Sequence, residues 1–363
     1  MSMPCWLMLS DGTVFKGKSF GIKADAIGEV VFTTAMTGYA ETLTDPSYFG
    51  QIVVQTFPLI GNYGIIENDF ESRKSFVSGY VVREWCRSPS NFRCEQDVDT
   101  FLCEQNIVGI HEIDTRHLTK IIREHGVMNA IITSTDPELN KEELIEKINK
   151  FSIKGAVKSV TSESSVEYKS QNSKYKVVLW DFGSKQNIIR ELVDRDCDVT
   201  VMPSYTTAEQ ILELKPDGLM LSNGPGDPLE NMQIVAELKK VIETKLPTFG
   251  ICLGHQLLAL ANGGNTVKLK YGHRGANQPV KDIDKNRVYI TSQNHGYAVV
   301  ADSIDENVGH VSHINVNDNT CEGVRYKILP NFSVQFHPEA CGGPLDTAFL
   351  FEEFIDLMEI NKK

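Results

Sequence analysis

From residue 175 onward the chain alternates short apolar runs with longer stretches whose apolar residues return at helical spacing. The runs at 177–181, 198–202 and 218–221 read as buried strands, and 186–194 and 207–214 between them as helices. Ile234, Val235, Leu238, Val241 and Ile242 mark a further amphipathic helix. The apolar run 247–251 then leads into a helical stretch, 255–262, which Gly263-Gly264 stops. Repeated strand–helix units predict a doubly wound, mostly parallel α/β sheet with ligands at the carboxyl ends of its strands. A last helix over 346–360 carries Leu350, Phe351, Phe354, Ile355 and Met358, a stripe expected in the core.

The first part of the chain has a different rhythm. A hairpin over 7–15 turns at Asp11-Gly12, and β-branched or aromatic runs follow at 30–34, 51–57 and 76–84. Helical signals come later. Asp114 is placed to cap a helix bearing Leu118, Ile121 and Ile122, with Gly126 as its stop, and Asn140 with Glu143 forms a capping-box-like pair. Strands first and helices afterwards predict a separate α+β domain. Residues 159–174 are polar, lack apolar periodicity and read as a linker. The expected organisation is a first domain over 1–158, a linker over 159–174, and the α/β domain over 175–363.

A length of 363 residues leaves room for both domains. The net charge of −12, without a long basic run, argues against a nucleic-acid partner. No stretch of 18 apolar residues and no leader-like start is present, so a cytoplasmic protein away from membranes is expected. The eight cysteines show neither a C-x-x-C pair nor histidine-rich spacing, which argues against disulfides and structural zinc. Seven are expected to be plain buried thiols, with Cys252 the exception.

Cys252 lies in Gly250-Ile251-Cys252-Leu253-Gly254, a cysteine between glycines at a strand-to-helix turn. That is the nucleophile-elbow pattern, and it places the thiol at a helix N-terminus. Small-residue turns of this kind are common, so the motif needs company. Phe332-Ser333-Val334-Gln335-Phe336 reads as a strand ending in His337-Pro338-Glu339. A lone histidine is more often structural, but a thiol followed by His-x-Glu within one α/β pattern reads as Cys252, His337 and Glu339 forming a triad. Ser222-Asn223-Gly224-Pro225-Gly226-Asp227-Pro228 is a tight turn feeding a helix at Pro228, or a loop presenting backbone amides to an oxyanion. Ser47, in Asp45-Pro46-Ser47, reads as a turn residue. The segment 292–297 reads as a polar turn in which His295 hydrogen-bonds, and 271–279 as a solvated loop. Cys341 has no elbow around it. No P-loop is present, so ATP binding by this chain is not expected.

Gly250-Ile251-Cys252-Leu253-Gly254-His255-Gln256 followed by Gln335-Phe336-His337-Pro338-Glu339 resembles the signature of class I, triad-type glutamine amidotransferases. The stretch 28–64, with Met36-Thr37-Gly38-Tyr39 and Leu43-Thr44-Asp45-Pro46-Ser47, is similar to the domain specific to the small subunits of carbamoyl-phosphate synthetases. Two positions depart from that family: Gln278, where histidine is frequent, and 341–344, where Ser-Pro-Gly-Pro is common. The resemblance implies glutamine hydrolysis through a thioester, with the amides of Gly226 and Leu253 holding the oxyanion. It makes Ser47, Gly224, Gln256, Asn294, Gly296 and Tyr297 the remaining glutamine contacts, Ser47 reaching across from the first domain. It further implies ammonia delivery to a large synthetase subunit that uses MgATP and bicarbonate, with no metal or cofactor in this chain. Because the sequence stops after the last helix, the ligase is not expected to be fused to it. The competing readings are a stand-alone γ-glutamyl or peptide hydrolase with the same triad, and a binding subunit with a decayed site.

Overall fold

Asp11-Gly12 makes the expected tight turn, with Gly12 in the left-handed region at φ 86°. It joins β1 (Pro4–Leu9) to β2 (Val14–Gly21) in an antiparallel hairpin of register Met8↔Val14. The computed structural model describes residues 3–362, in two units that divide between Lys154 and Gly155.

In the first unit, β3 (Ala26–Thr33), β4 (Gln51–Gln55), β6 (Gly79–Val81), β8 (Val108–His111) and β9 (Met128–Thr133) join the hairpin in a closed barrel. Its order is β1-β2-β8-β6-β4-β3-β9. A separate short pair, β5 (Leu59–Ile60) with β7 (Glu84–Trp85), lies outside it. β3, β4, β6 and β8 run parallel, and the remaining neighbours antiparallel. All five residues of β4 are buried, because Val53 packs with Tyr39, Leu43 and Phe101 from helices laid over the barrel wall. Parallel strands covered on both faces lose the apolar–polar alternation that reveals a strand in sequence. The helix Thr115–His125 is capped by the Asp114 side chain and stops at Gly126, as predicted. The helix Lys141–Lys150 also forms, but the Asn140 side chain makes no capping bond, so the capping-box expectation is corrected.

The second unit holds a ten-stranded sheet of β10 (Val166–Tyr168), β11 (Tyr175–Asp181), β12 (Cys197–Pro203), β13 (Gly218–Leu221), β14 (Thr248–Ile251), β15 (Thr266–Asp282), β16 (Arg287–Val299), β17 (Gly309–Asn315), β18 (Cys321–Tyr326) and β19 (Asn331–Val334). Its order is β10-β12-β11-β13-β14-β19-β18-β16-β15-β17. From β12 to β19 the strands are parallel, and helices cover both faces. This is the doubly wound α/β layout that the alternation of strands and helices predicts. One face buries Trp180, Leu219 and Leu257, and the other buries Leu179, Phe249, Phe351 and Phe354.

Four sequence expectations are corrected here. Residues 159–174 contribute β10, which pairs antiparallel with β12 at the sheet edge, and the buried Thr161 hydroxyl donates to the Asp181 carbonyl at 2.7 Å. An edge strand with one ladder and exposed side chains needs no apolar pattern, so it reads as linker in sequence. The segments 271–279 and 292–297 are the interiors of β15 and β16, paired with register His273↔His295 and interrupted by two bulges. Their buried positions are polar and mutually hydrogen-bonded, which hides a strand from a hydropathy reading. The final helix, Phe349–Asn361, begins three residues later than expected. All eight cysteines are free thiols, but only Cys5, Cys197, Cys252 and Cys321 are buried, and Cys103 and Cys341 are exposed.

Candidate active site

Four neighbouring parallel strands, β11, β13, β14 and β19, release their chain at the same end of the sheet. Register Ile251↔Val334 puts the residues after β14 beside those after β19, and the Cys252 N–H donates to the Val334 carbonyl at 2.9 Å. Strand pairing therefore carries Cys252 toward His337 across more than eighty residues of sequence. The loop after β13 brings Gly224 and Gly226, and the loop after β11 brings Lys185. This is the carboxyl-end crevice where open α/β sheets bind ligands.

Cys252 sits at φ 54°, ψ −104°, a conformation that costs a non-glycine residue strain and is held by its surroundings. It is the N-cap of the helix Leu253–Ala261. The flanking glycines are steric requirements. A Cβ on Gly254 would stand 2.4 Å from the Leu221 carbonyl oxygen, and one on Gly250 would stand 2.8 Å from the Gly254 carbonyl oxygen. We expect Gly254→Ala to cost about 3 kcal/mol through overpacking against backbone. A thermal melt should show a drop of several degrees. An unchanged melting temperature would mean that the elbow is not packed this tightly.

His337 Nδ1 lies 2.6 Å from Glu339 Oε1, and both side chains are fully buried. Burial and the nearby Lys185 ammonium push the imidazole down, but Glu339 and Cys252 prevail and raise its pKa to about 10. Burial alone would raise Glu339, yet His337 and Lys185 hold it down at about 2. The pair is thus an imidazolium–carboxylate with Nδ1–H fixed toward Glu339. His337 Nε2 has no hydrogen-bond partner among the described residues, which leaves it for the reacting groups. The Cys252 Sγ lies 3.7 Å from the Asn294 carbonyl, a weak S–H contact.

Lys185 was not anticipated. Its Nζ lies 3.4 Å from Glu339 Oε1 while the residue is buried, and its N–H donates to the Asn223 side chain at 3.0 Å. Asn187 donates its side-chain N–H to the Glu339 carbonyl. Nothing local in Asp181-Phe182-Gly183-Ser184-Lys185 distinguishes this lysine from a solvated one. Only the position of β11 two strands away from β14 does so.

Among the described residues, neither the Leu253 nor the Gly226 N–H has a hydrogen-bond acceptor. Leu253 opens a helix, so its N–H has no acceptor within the helix and the helix dipole favours negative charge there. Gly226 takes φ 88°, and Gly224 packs so that a Cβ would reach 2.4 Å from the Phe182 carbonyl oxygen. Asn294, Gly296 and Tyr297 come from β16. Gln256 lies on the elbow helix and donates to the Tyr297 carbonyl and to Gln335 Oε1, each at 2.9 Å. These residues, with Cys252, His337 and Glu339, all belong to the second unit. Ser47 belongs to the first unit, buried in the 3-10 turn Pro46–Tyr48, where its N–H donates to Asp45 Oδ1 at 2.9 Å. Cys341 is exposed in the segment after Glu339. His255, buried beneath the elbow, meets the Ser333 hydroxyl at 2.8 Å and is kept neutral by burial, its pKa lowered to about 3.

Comparison with known proteins divides the chain in the same two parts. Residues 7–132 match the model of the carbamoyl-phosphate synthase small chain, CPSase domain, and residues 178–357 match glutamine amidotransferase class-I. The carbamoyl phosphate synthase small chain of Clostridium perfringens is 52% identical over 353 residues, covering 97% of this chain and 99% of that one. The counterpart from Syntrophotalea carbinolica is 52% identical over 377 residues, covering 99% of each. Among solved structures, a glutamine amidotransferase from Thermotoga maritima aligns with TM-score 0.37 at 17% identity, over 52% of this chain and 85% of that one. No helix among the described residues is long and apolar enough to cross a membrane.

Proposed function

The chain belongs to the carbamoyl phosphate synthase small chain family, a glutamine-hydrolysing component of a ligase, and from that premise we propose that Cys252, His337 and Glu339 hydrolyse glutamine and that the ammonia passes to a separate large synthetase chain. The observation that supports this most is the buried His337–Glu339 pair beside the Cys252 elbow, where the Leu253 amide opens a helix without an acceptor.

In this reading the Cys252 thiolate attacks the side-chain carbonyl carbon of glutamine. The electron pair of the carbonyl moves onto its oxygen, which the Leu253 and Gly226 amides hold. When the tetrahedral species collapses, the C–N bond breaks and His337 Nε2 gives its proton to the departing nitrogen, releasing ammonia and leaving a γ-glutamyl thioester. The now neutral His337 takes a proton from water, whose oxygen attacks the thioester. The C–S bond breaks, the new carboxylic acid gives its proton to solvent as glutamate leaves, and the thiolate–imidazolium pair is restored. Glu339 keeps the Nδ1–H tautomer and stabilises the imidazolium in both halves. Gln256, Asn294, Gly296, Tyr297 and Gly224 surround the substrate's amino-acid end. The half-reaction needs no metal or cofactor from this chain, and MgATP is used by the large chain. A cytoplasmic location fits that role.

The test is glutamate release by the purified chain alone and after mixing with the large synthetase chain, bicarbonate and MgATP. Release should rise at least tenfold on mixing and match the carbamoyl phosphate formed. A chain that is fast alone and indifferent to the large chain would be a stand-alone γ-glutamyl hydrolase instead.

A further inference from the structure

A second layer of buried polar groups lies under the segment 294–297, and the chemistry above does not use it. His273 on β15 is held from two sides: its Nε2 lies 2.8 Å from Asp318 Oδ2 and its Nδ1 3.5 Å from Glu322 Oε1. Glu322 on β18 is fully buried and also accepts from the Asn315 side chain at 3.0 Å. The His273 and His295 rings meet edge to face, with centroids 5.0 Å apart. His295 in turn lies 3.0 Å from the Gln293 side-chain amide through Nε2, and its Nδ1 lies 2.8 Å from the Tyr297 carbonyl. That carbonyl is the one that also receives Gln256. A chain of contacts therefore runs from Asp318, half-exposed on the turn after β17, to the backbone of the glutamine-binding segment.

A carboxylate as deeply buried as Glu322 is costly unless a cation or proton sits beside it. Here the available cation is His273. Burial works against its charged form, but Glu322 and Asp318 outweigh burial and raise its pKa. Arg274, beside it in the strand, turns to donate to the Tyr271 carbonyl at 2.7 Å. His295 is kept neutral by burial, with the charge of His273 adding to the effect. Both ring nitrogens of His295 face oxygen atoms, the Tyr297 carbonyl and Gln293 Oε1, so the neutral ring donates to one of them while both contacts hold its plane.

We propose that His273, clamped between Asp318 and Glu322, is a positioning residue that holds the 294–297 segment in the shape glutamine binding requires. The inference rests on the reading that glutamine is bound by that segment. While His273 is charged, Glu322 is neutralised in place and His295 has a fixed wall to pack on. Once His273 loses its proton, Glu322 faces a bare nitrogen, the layer relaxes, and the Tyr297 carbonyl shared by His295 and Gln256 is released. Glutamine affinity should then fall as pH rises through the raised pKa of His273, while the triad keeps its turnover.

The experiment measures KM and kcat for glutamine from pH 6 to 9.5 in the complex with the large synthetase chain, for wild type, His273→Gln and Asp318→Asn. His273→Gln should raise KM tenfold or more with kcat changed less than threefold, and the alkaline rise in KM seen in wild type should disappear. Asp318→Asn, at a half-exposed turn where folding is not at risk, should raise KM less and move the alkaline rise to lower pH. Wild-type KM in both variants, an alkaline rise that survives His273→Gln, or a fall in kcat at constant KM would each overturn the proposal. A KM that responds to EDTA would also overturn it, and would make His273, His295 and Glu322, whose ligand atoms lie within 4.8 Å of one another, a cation site. If wild type itself hydrolyses no glutamine, the functional reading fails. If wild type is active and the variants match it, only the role of His273 fails.

Discussion

Cys252→Ala should abolish glutamine-dependent carbamoyl phosphate synthesis by the assembled complex while leaving synthesis from added ammonium salts within about twofold of wild type. Removing a covalent nucleophile costs on the order of 10³–10⁶ in rate, because the oxyanion hole and binding groups that remain supply only a small residual rate. The change should be nearly silent in the fold. Alanine keeps the Cβ, inherits the same φ of 54°, and removes one buried sulfur whose contact is a weak one to the Asn294 carbonyl. The melting temperature should therefore move by only a few degrees. Glutamate release and ammonia-supported synthesis are the paired measurements. Glutamate release persisting above about one hundredth of wild type would remove Cys252 from the nucleophile's role. Loss of the ammonia-supported rate would instead point to a broken complex.

The proposed triad can be read in the sequence because each part is local. Gly250 and Gly254 mark the elbow by the space they leave against Leu221 and each other, and His337 and Glu339 are two residues apart. What joins them is the β14–β19 pairing, and alternating strands and helices give enough of the sheet to expect it. Legibility fails where function is built from polar residues inside regular structure. β15 and β16 bury His273, Arg274, Gln293, Asn294 and His295, so a rule that seeks apolar residues inside finds only loops there. Lys185 fails for another reason: its task is defined by a carboxylate more than 150 residues away, and no neighbour in sequence shares it. The first unit's barrel is hidden by closure itself. β1 bonds to β2 on one side and to β9 on the other, and no local pattern encodes which distant strand completes a ring.

Glu339→Gln is the second change expected to have a large effect, because it removes charge while keeping shape. The amide oxygen can still accept from His337 Nδ1, so the tautomer survives. What is lost is the negative charge that holds His337 charged up to about pH 10 and balances Lys185. In the proposed mechanism, the imidazolium that protonates the leaving nitrogen becomes scarcer at neutral pH. The expected fall in kcat/KM is on the order of 10²–10⁴, with the alkaline limb of the pH profile displaced downward. Leaving a buried ammonium without its carboxylate should cost about 3 kcal/mol of stability. The pH dependence of that loss has a defined sign. Glu339, depressed from 4.5 to about 2, stabilises the fold above pH 4.5, and that contribution disappears as pH falls through about 2. His337, raised from 6.5 to about 10, stabilises it below pH 6.5, and that contribution disappears as pH rises through about 10. Both describe one ion pair, so the wild-type advantage should be widest between about pH 4.5 and 6.5 and narrow on either side. Thermal melts of the two proteins across pH 3–10 measure it directly. A stability gap that does not vary with pH would mean that the pair is not ionised in the fold, and a kcat/KM within threefold of wild type would assign Glu339 a purely structural role.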